Sequence, residues 1–153
     1  MKFLKLCVVF LFLNFSALAF GSWLMDNGPM KSWYIDLNQA PWTPPGWVFG
    51  VAWTTIMICF SVYLAQLFKK SITINLILLY SIQLILNISW NYIFFNQHAI
   101  GYGLACIIAL TVIVFIFLIN YRKLLQYKSL LIVPYFLWLL IATSLNAYIY
   151  FYN

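Results

Sequence analysis

The sequence predicts an all-α membrane protein, a bundle of five transmembrane helices with a structured loop between the first two. Of its 153 residues, 66% are hydrophobic and only 7% are charged, whereas a soluble domain carries about 25% charged residues. Its apolar runs reach the roughly 20 residues that a helix needs to cross a bilayer. They also lack the alternation of apolar and polar residues that is typical of membrane β-strands. This composition excludes an ordinary soluble enzyme, a disordered chain and a nucleic-acid-binding module.

The apolar runs predict five spans, which form a single transmembrane domain over residues 1–153. We place them at residues 3–25, 45–68, 72–95, 99–121 and 129–152. The first run admits an alternative, because two lysines, an apolar stretch and the sequence Ala17-Leu18-Ala19 are also typical of a cleaved secretory signal. The run continues to Leu24, however, beyond the usual length of a signal core. We therefore predict that it is retained as a helix.

The positive charges predict the orientation of the bundle. The formal net charge is +6, and the basic residues occur in small groups between the apolar runs. With five spans, seven of the eight basic residues fall on one side: Lys2, Lys5, Lys69, Lys70, Arg122, Lys123 and Lys128. Positive charges favour the cytoplasmic side. We predict a multi-pass integral membrane protein with a cytoplasmic N-terminus and an outer C-terminus.

Residues 26–44 form the long connection between the first and second spans. Loops longer than about 12–15 residues are commonly functional lids or disordered linkers. This one contains Trp33, Tyr34, Trp42 and several prolines, and disordered segments have few aromatic residues. We predict a folded lid loop that covers one end of the bundle.

The usual residues of acid–base catalysis are nearly absent. The chain has two aspartates ten residues apart in one loop, no glutamate and a single histidine, so a paired-carboxylate site or a catalytic triad cannot be assembled within the bundle. His98 is interpreted as a solvated loop residue, with a haem axial ligand as the alternative. The three cysteines lie in separate apolar runs, so we interpret them as small packing residues. We expect no metal site.

Three predicted helices carry a face that mixes aromatic rings with a few amides. On the third span this face is formed by Tyr80, Gln83, Asn87, Trp90, Asn91 and Phe94. The second span offers Phe49, Trp53, Met57 and Phe60, and the fifth offers Tyr135, Trp138, Ala142 and Asn146. Amides are costly in hydrocarbon, so these faces should point inward. Periodicity alone leaves two readings open, a pocket for a small molecule and polar contacts that hold helices together.

The fourth span carries a ridge of small residues, Gly101, Ala105 and Ala109. Small residues at this spacing permit close helix approach. We favour packing within the bundle, with a homodimer as the alternative.

Three segments resemble the TspO/MBR family. They read SWYIDLNQAPWTPPGWVFGVAW, LYSIQLILNISWNYIFF and VPYFLWLLIATSLN, and they occur in the family's order. Their distinctive parts are the Trp-Thr-Pro-Pro stretch that begins at Trp42, the series from Gln83 to Trp90, and Pro134-Tyr135 followed by Trp138. The similarity covers nearly the whole chain.

The resemblance implies a five-helix bundle, often dimeric, with a ligand pocket under the loop between the first two helices. Members of the family bind porphyrins such as protoporphyrin IX, and some bind cholesterol. The family's pocket and lid positions are carried over onto this sequence, and Gln83 is added from the amide face. The residues expected to bind the ligand are then Tyr34, Pro41, Trp42, Pro44, Trp53, Gln83, Asn87, Trp90, Trp138, Ala142 and Asn146. The resemblance therefore favours the pocket over purely structural amides.

We accordingly predict a membrane protein that binds a porphyrin, either protoporphyrin IX or a haem-like ring, and that acts as a sensor or regulator of tetrapyrrole or stress responses. No cofactor is obligatory, and membrane lipid is the other expected partner. The alternatives are a light-dependent porphyrin-degrading enzyme, with Trp53 and Trp138 as catalytic candidates, and a transporter of porphyrin or lipid. The sequence ends at Asn153 without the basic tail that carries the sterol motif in animal members. The lack of this tail favours a location in a bacterial cell membrane and argues against sterol binding.

Overall fold

A computed structural model describes residues 2–153 and confirms the all-α prediction, since no strand occurs among these residues. The helices are α1 (Phe3–Met25), α2 (Ser32–Ile35), α3 (Gly46–Lys70), α4 (Ile74–Asn91), α5 (Ile100–Leu125) and α6 (Val133–Tyr152). The bounds of the long helices lie within about four residues of the predicted spans, as helix ends commonly do. The short helix α2 belongs to the lid loop.

Within residues 2–153, four helical stretches are long and apolar enough to cross a membrane: Phe3–Met30, Gly46–Lys70, Ile74–Asn96 and Ile100–Tyr152. The last has 53 residues, which at 1.5 Å per residue is about 80 Å, far more than one bilayer. It folds back at Gln126, where φ is 54° and ψ is −129°. The hydroxyls of Thr111 and Thr143 lie 3.1 Å apart across the resulting antiparallel pair. The bundle therefore has five spans: α1, α3, α4, α5 and α6.

Seven of the eight basic residues lie at one end of the bundle, which we call the basic end. There the Lys70 Nζ donates to the Leu124 carbonyl oxygen at 2.6 Å, and the Lys128 Nζ donates to Gln66 Oε1 at 3.1 Å. At the opposite end, the lid end, the Asn38 backbone N–H donates to the Asn153 side-chain oxygen at 2.7 Å. The bundle thus carries most of its positive charge at one end and its lid loop, with Lys31, at the other.

Aromatic rings fill the interior between the cavity described below and the basic end. Phe60 is completely buried, with its ring centroid 5.3 Å from that of Tyr135 and 5.8 Å from that of Phe117. A polar bridge links three helices nearby. The Asn14 side-chain amide on α1 donates to Ser61 Oγ at 2.8 Å, and the Tyr80 hydroxyl donates to Asn14 Oδ1 at 2.9 Å. Part of the high aromatic content is therefore structural core.

A π-turn, Tyr92–Asn96, follows α4 and places two phenylalanines against glycines. The Gln97 N–H donates to the Tyr92 carbonyl oxygen at 3.0 Å, the i to i−5 bond of a π-helix. Phe95 packs so closely on Gly28 that a Cβ atom there would lie 2.5 Å from the Phe95 Cβ. Phe94 packs on Gly103 of α5 in the same way, at 2.9 Å from Cδ2. The π-turn thus fixes the lid loop to the bundle.

The ridge of small residues on α5 lies partly on the outer surface. Gly101 and Ala105 are exposed and Ala109 is half-buried. A Cβ atom on Gly101 would lie 3.2 Å from the Tyr150 ring of α6, so this glycine makes room for a contact within the bundle. Dimerisation through Ala105 and its neighbours stays a prediction.

Replacing Gly50 by alanine is expected to stabilise the protein. Gly50 lies inside α3, and a Cβ atom there would meet nothing within 4 Å. Because glycine in a helix interior costs about 0.5–1 kcal/mol relative to alanine, Gly50→Ala should raise the free energy of unfolding by that amount. Thermal unfolding in detergent, followed by circular dichroism, measures the change. A lower unfolding midpoint would instead mean that another surface packs against Gly50.

Candidate ligand-binding site

A cavity of about 410 Å³ opens at the lid end, between α1, α3, α4 and the lid loop. This volume lies in the range of about 300–1,000 Å³ that is typical of small-molecule sites. The residues that line it are Leu18, Ser22, Met25, Pro29, Tyr34, Gln39, Thr43, Pro44, Gly46, Phe49, Trp53, Asn87, Trp90, Asn91 and Phe95. No residue of this set is charged.

Aromatic side chains form much of the cavity wall. The Trp90 ring contacts the Phe95 ring edge to face at 5.7 Å, and the Tyr34 ring lies 5.2 Å from Phe95. On the α3 side, Phe49 and Trp53 line the cavity and are half-buried. The indole N–H of Trp90 donates to Asn146 Oδ1 at 3.3 Å, which holds this ring in place from α6. The wall is therefore a set of positioned rings rather than a flexible aliphatic surface.

Asn87 is the main unpaired polar group in the cavity. Its side chain is only 4% exposed, yet within residues 2–153 its amide has no hydrogen-bond partner. Its backbone carbonyl oxygen accepts from the Asn91 side-chain amide at 3.4 Å. The Asn87 amide opens onto the cavity, whereas the buried side-chain atoms of residues 2–153 that lack a partner are Gln83 Oε1 and Trp138 Nε1. The Asn87 amide is therefore free to pair with a ligand.

Tyr34 supplies a second polar group from the lid loop. Burial raises the pKa of the Tyr34 phenol above its usual value of 10. A phenol is protonated at neutral pH even at its ordinary pKa of about 10, so Tyr34 offers an O–H donor to a ligand. The Gln39 side chain donates to the Tyr34 carbonyl oxygen at 3.0 Å and holds this part of the loop together.

The structure places five of the predicted site residues in the cavity wall: Tyr34, Pro44, Trp53, Asn87 and Trp90. Asn146 and Ala142 lie behind Trp90, since Asn146 accepts from the Trp90 indole and donates to the Ala142 carbonyl oxygen at 3.0 Å. Pro41 is exposed and outside the wall. Asn146 therefore reaches the cavity only through Trp90.

Three further predicted residues lie outside the wall. Gln83 donates to the Tyr135 hydroxyl at 2.8 Å and is buried away from the cavity. Trp138 is buried behind Phe49, with ring centroids 5.3 Å apart. Of the two candidates for light-dependent chemistry, only Trp53 therefore faces the cavity. Trp42 is 54% exposed, and its indole donates to Ser144 Oγ on α6 at 3.1 Å, which anchors the lid loop.

Sequence reasoning missed all of the cavity residues that α1 contributes. Leu18, Ser22 and Met25 line the cavity at helical spacing. They lie in a run whose few uncharged polar residues are Asn14, Ser16 and Ser22, and its apolar residues show no helical period. Pro29, Gln39, Thr43 and Gly46 were also absent from the predicted site. The loop composition indicated a cover, yet it could not indicate which side chains point into the cavity.

His98 is exposed as expected, and its ring stacks on the Trp33 ring with the centroids 4.0 Å apart.

Comparison with known proteins gives a consistent result. The family model described as the TspO/MBR family matches residues 8–152. The chain is 30% identical over 138 residues to the tryptophan-rich sensory protein of Cereibacter sphaeroides, covering 89% of this chain and 87% of the relative. It is 30% identical to the tryptophan-rich protein TspO of Chlorobaculum tepidum, over 85% of each chain. The human translocator protein is 28% identical over 78% of this chain and 74% of its own.

These relatives are similar along the stretch that holds the five spans, the lid loop and the cavity wall. Their names describe sensory and translocator proteins, which supports a membrane sensor or transporter role. The match extends over nearly the whole chain, and the fold is the helical bundle that the sequence predicted. The chain is therefore a member of the TspO/MBR family.

Proposed function

We propose that the protein binds a porphyrin-type ligand in the lid-end cavity and acts as a sensor or regulator of a tetrapyrrole or stress response. The observation that carries this proposal is the combination of an aromatic wall with the unpaired Asn87 amide. Apolar walls with a few placed polar groups are the usual composition of small-molecule sites. Family membership supports the sensory part of the proposal.

The wall favours a flat ring over a flexible chain as the ligand. Trp90 stacks on Phe94 at 6.1 Å with an angle of 17° between the rings, so it is supported from behind. Aromatic rings prefer offset-stacked or edge-to-face contacts with other rings, and such pairs contribute beyond the area they bury. A macrocycle offers many such contacts at a small cost in conformational entropy. The cavity therefore suits a rigid aromatic ligand.

Titration with protoporphyrin IX tests the proposal. We expect saturable quenching of tryptophan fluorescence in the purified wild-type protein. Trp90→Leu should weaken the affinity by about tenfold or more, since it removes a large ring from the wall. Trp47→Leu is the matched control, because Trp47 is 71% exposed on α3 and does not line the cavity.

Two outcomes would contradict the proposal in different ways. A linear, unsaturable response of the wild-type protein would show that the porphyrin only partitions into detergent, and the proposed function would be wrong. Saturable binding that is equally strong in Trp90→Leu and Trp47→Leu would keep the function and move the site elsewhere.

A further inference from the structure

Two lysines at the basic end connect α3 to the end of α5 and to the segment that follows it. The Lys70 Nζ donates to the Leu124 carbonyl oxygen at 2.6 Å, and the Lys128 Nζ donates to Gln66 Oε1 at 3.1 Å. Gln66 and Lys70 are four residues apart on α3, so they lie one turn apart on the same face of the helix. Both ammonium groups are therefore held in one region, which we call the lysine seam: Gln66, Lys70, Leu124 and Lys128.

No acidic side chain compensates the charge of these two lysines. The chain has two acidic residues, Asp26 and Asp36, and both belong to the lid loop at the opposite end. Arg122 and Lys123 add further positive charge in the last turn of α5. Lys128 is half-buried, and a charge that is partly removed from water is costly unless it is paired. The hydrogen bonds to neutral oxygens orient the ammonium groups but leave their charge in place.

The helix ends do not compensate this charge either. The helices α1, α4 and α6 begin at the basic end, without an acidic residue in the first turn of any of them. The helices α3 and α5 end there. Helix N-termini carry a partial positive charge and C-termini a partial negative charge of similar size. Three N-termini against two C-termini therefore add to the positive charge of the side chains.

Apolar side chains border the lysine seam at the surface. Ile72 and Leu130 are exposed close to Lys70 and Lys128 in the chain, and the Lys128 Nζ lies 6.0 Å from the centroid of the exposed Tyr127 ring. These residues adjoin the ends of the spanning helices, at the depth where hydrocarbon meets the headgroups and where tyrosine is enriched. Lysine stems cover apolar surface at this depth while their ammonium groups reach the headgroups. A free phosphate ion would contact the ammonium groups alone, whereas a phospholipid would also cover the apolar border.

We propose that the lysine seam binds the phosphate of an anionic phospholipid. The ammonium groups of Lys70 and Lys128 contact the phosphate oxygens, and Ile72 and Leu130 contact the acyl chains. Basic groups between spanning helices are a recurrent site for such headgroups. A zwitterionic phospholipid binds less well, because its own cation faces the positive charge of the basic end. The site lies at the opposite end from the lid-end cavity, and it does not depend on what binds there.

Native mass spectrometry of the full chain in a neutral detergent tests the proposal. The probes are phosphatidylglycerol and phosphatidylcholine with the same acyl chains. Each is titrated against the wild-type protein, Lys70→Gln/Lys128→Gln and the control Lys2→Gln/Lys5→Gln. The control removes the same charge at the same end of the bundle, but at the start of α1. The readout is the ratio of the two dissociation constants within each protein, so a folding defect that weakens both lipids cancels.

We expect the wild-type protein to bind phosphatidylglycerol about tenfold more tightly than phosphatidylcholine. Lys70→Gln/Lys128→Gln should reduce this preference to about twofold, since both cations of the site are lost. The control should keep the preference within about twofold of the wild-type value. Lys70→Arg/Lys128→Arg is a further variant, which retains both charges and should retain the preference.

Equal affinity of the wild-type protein for the two lipids would overturn the proposal. The same loss in Lys70→Gln/Lys128→Gln and in the control would also overturn it, because the attraction would then come from the diffuse charge of the basic end. Inorganic phosphate is the third probe. If it displaces phosphatidylglycerol at equal concentration, the seam is a site for free phosphate, and the assignment to a lipid is wrong.

Discussion

Replacing Gly28 by valine is expected to lower the free energy of unfolding by about 3 kcal/mol, the upper part of the range for overpacked sites. A Cβ atom at this position would lie 2.5 Å from the Phe95 Cβ and 2.8 Å from its Cδ1. The clash involves the base of the phenylalanine, so a rotation of its ring cannot relieve it. Because Phe95 also lines the cavity, ligand binding should weaken together with stability.

Thermal unfolding in detergent measures the first effect, and the expected shift is roughly 6–12 °C for a chain of this size. Gly50→Val is the matched control, since it introduces the same side chain where a Cβ atom meets nothing within 4 Å. Equal midpoints for the two variants would show that the lid loop does not pack on Phe95 as described.

Replacing Asn14 by leucine is expected to lower the free energy of unfolding by about 2 kcal/mol. The Asn14 side chain makes two hydrogen bonds, at 2.8 Å to Ser61 and 2.9 Å from Tyr80, and it is only 1% exposed. Its loss leaves the Tyr80 hydroxyl buried without an acceptor, which costs about 1–3 kcal/mol. Ser61 still donates to the Met57 carbonyl oxygen at 2.6 Å, so the damage is concentrated at Tyr80.

Asn87→Leu is the control for this substitution, because it makes the same chemical change at another buried asparagine. Its amide has no partner among residues 2–153, so the free energy of unfolding should be unchanged or higher. Unfolding titrations of both variants in the same detergent allow a direct comparison. Similar losses for Asn14→Leu and Asn87→Leu would mean that Asn87 is also bonded within the protein, and the cavity would then lack its unpaired amide.

The polar face of α4 shows why much of the bundle was predictable from sequence. Gln83, Asn87 and Trp90 recur at helical spacing in an apolar run, and all three are buried. Amides in a hydrocarbon environment are costly, so their spacing identifies the inward face. The same reasoning cannot separate an amide that holds helices together from one that faces a cavity. Gln83 is bonded to Tyr135, whereas Asn87 is unpaired, and only the three-dimensional arrangement distinguishes them.

The lid loop shows where sequence reasoning ends. Its prolines and tryptophans indicated a folded segment, but Trp42 extends outward to Ser144 and Tyr148, while Tyr34 faces the cavity. Both are large aromatic residues in one loop, and nothing local distinguishes them. The Tyr34 ring lies 5.2 Å from the Phe95 ring, and Phe95 is in close contact with Gly28. That contact joins residues far apart in the chain, and no periodic pattern records it.

The π-turn at Tyr92–Asn96 also determines what the deletion of a single residue would do to this part of the chain. A π-turn holds one residue more than an α-helical turn, so it turns everything after it by about 100° relative to a continuous helix. Deleting one residue here would restore a regular helix and leave Asn87 and Trp90 in place. The ring that now packs on Gly28 would be replaced by a different side chain. Single-residue gaps at this point should therefore separate relatives that share Asn87 and Trp90 but close the cavity with a differently built lid.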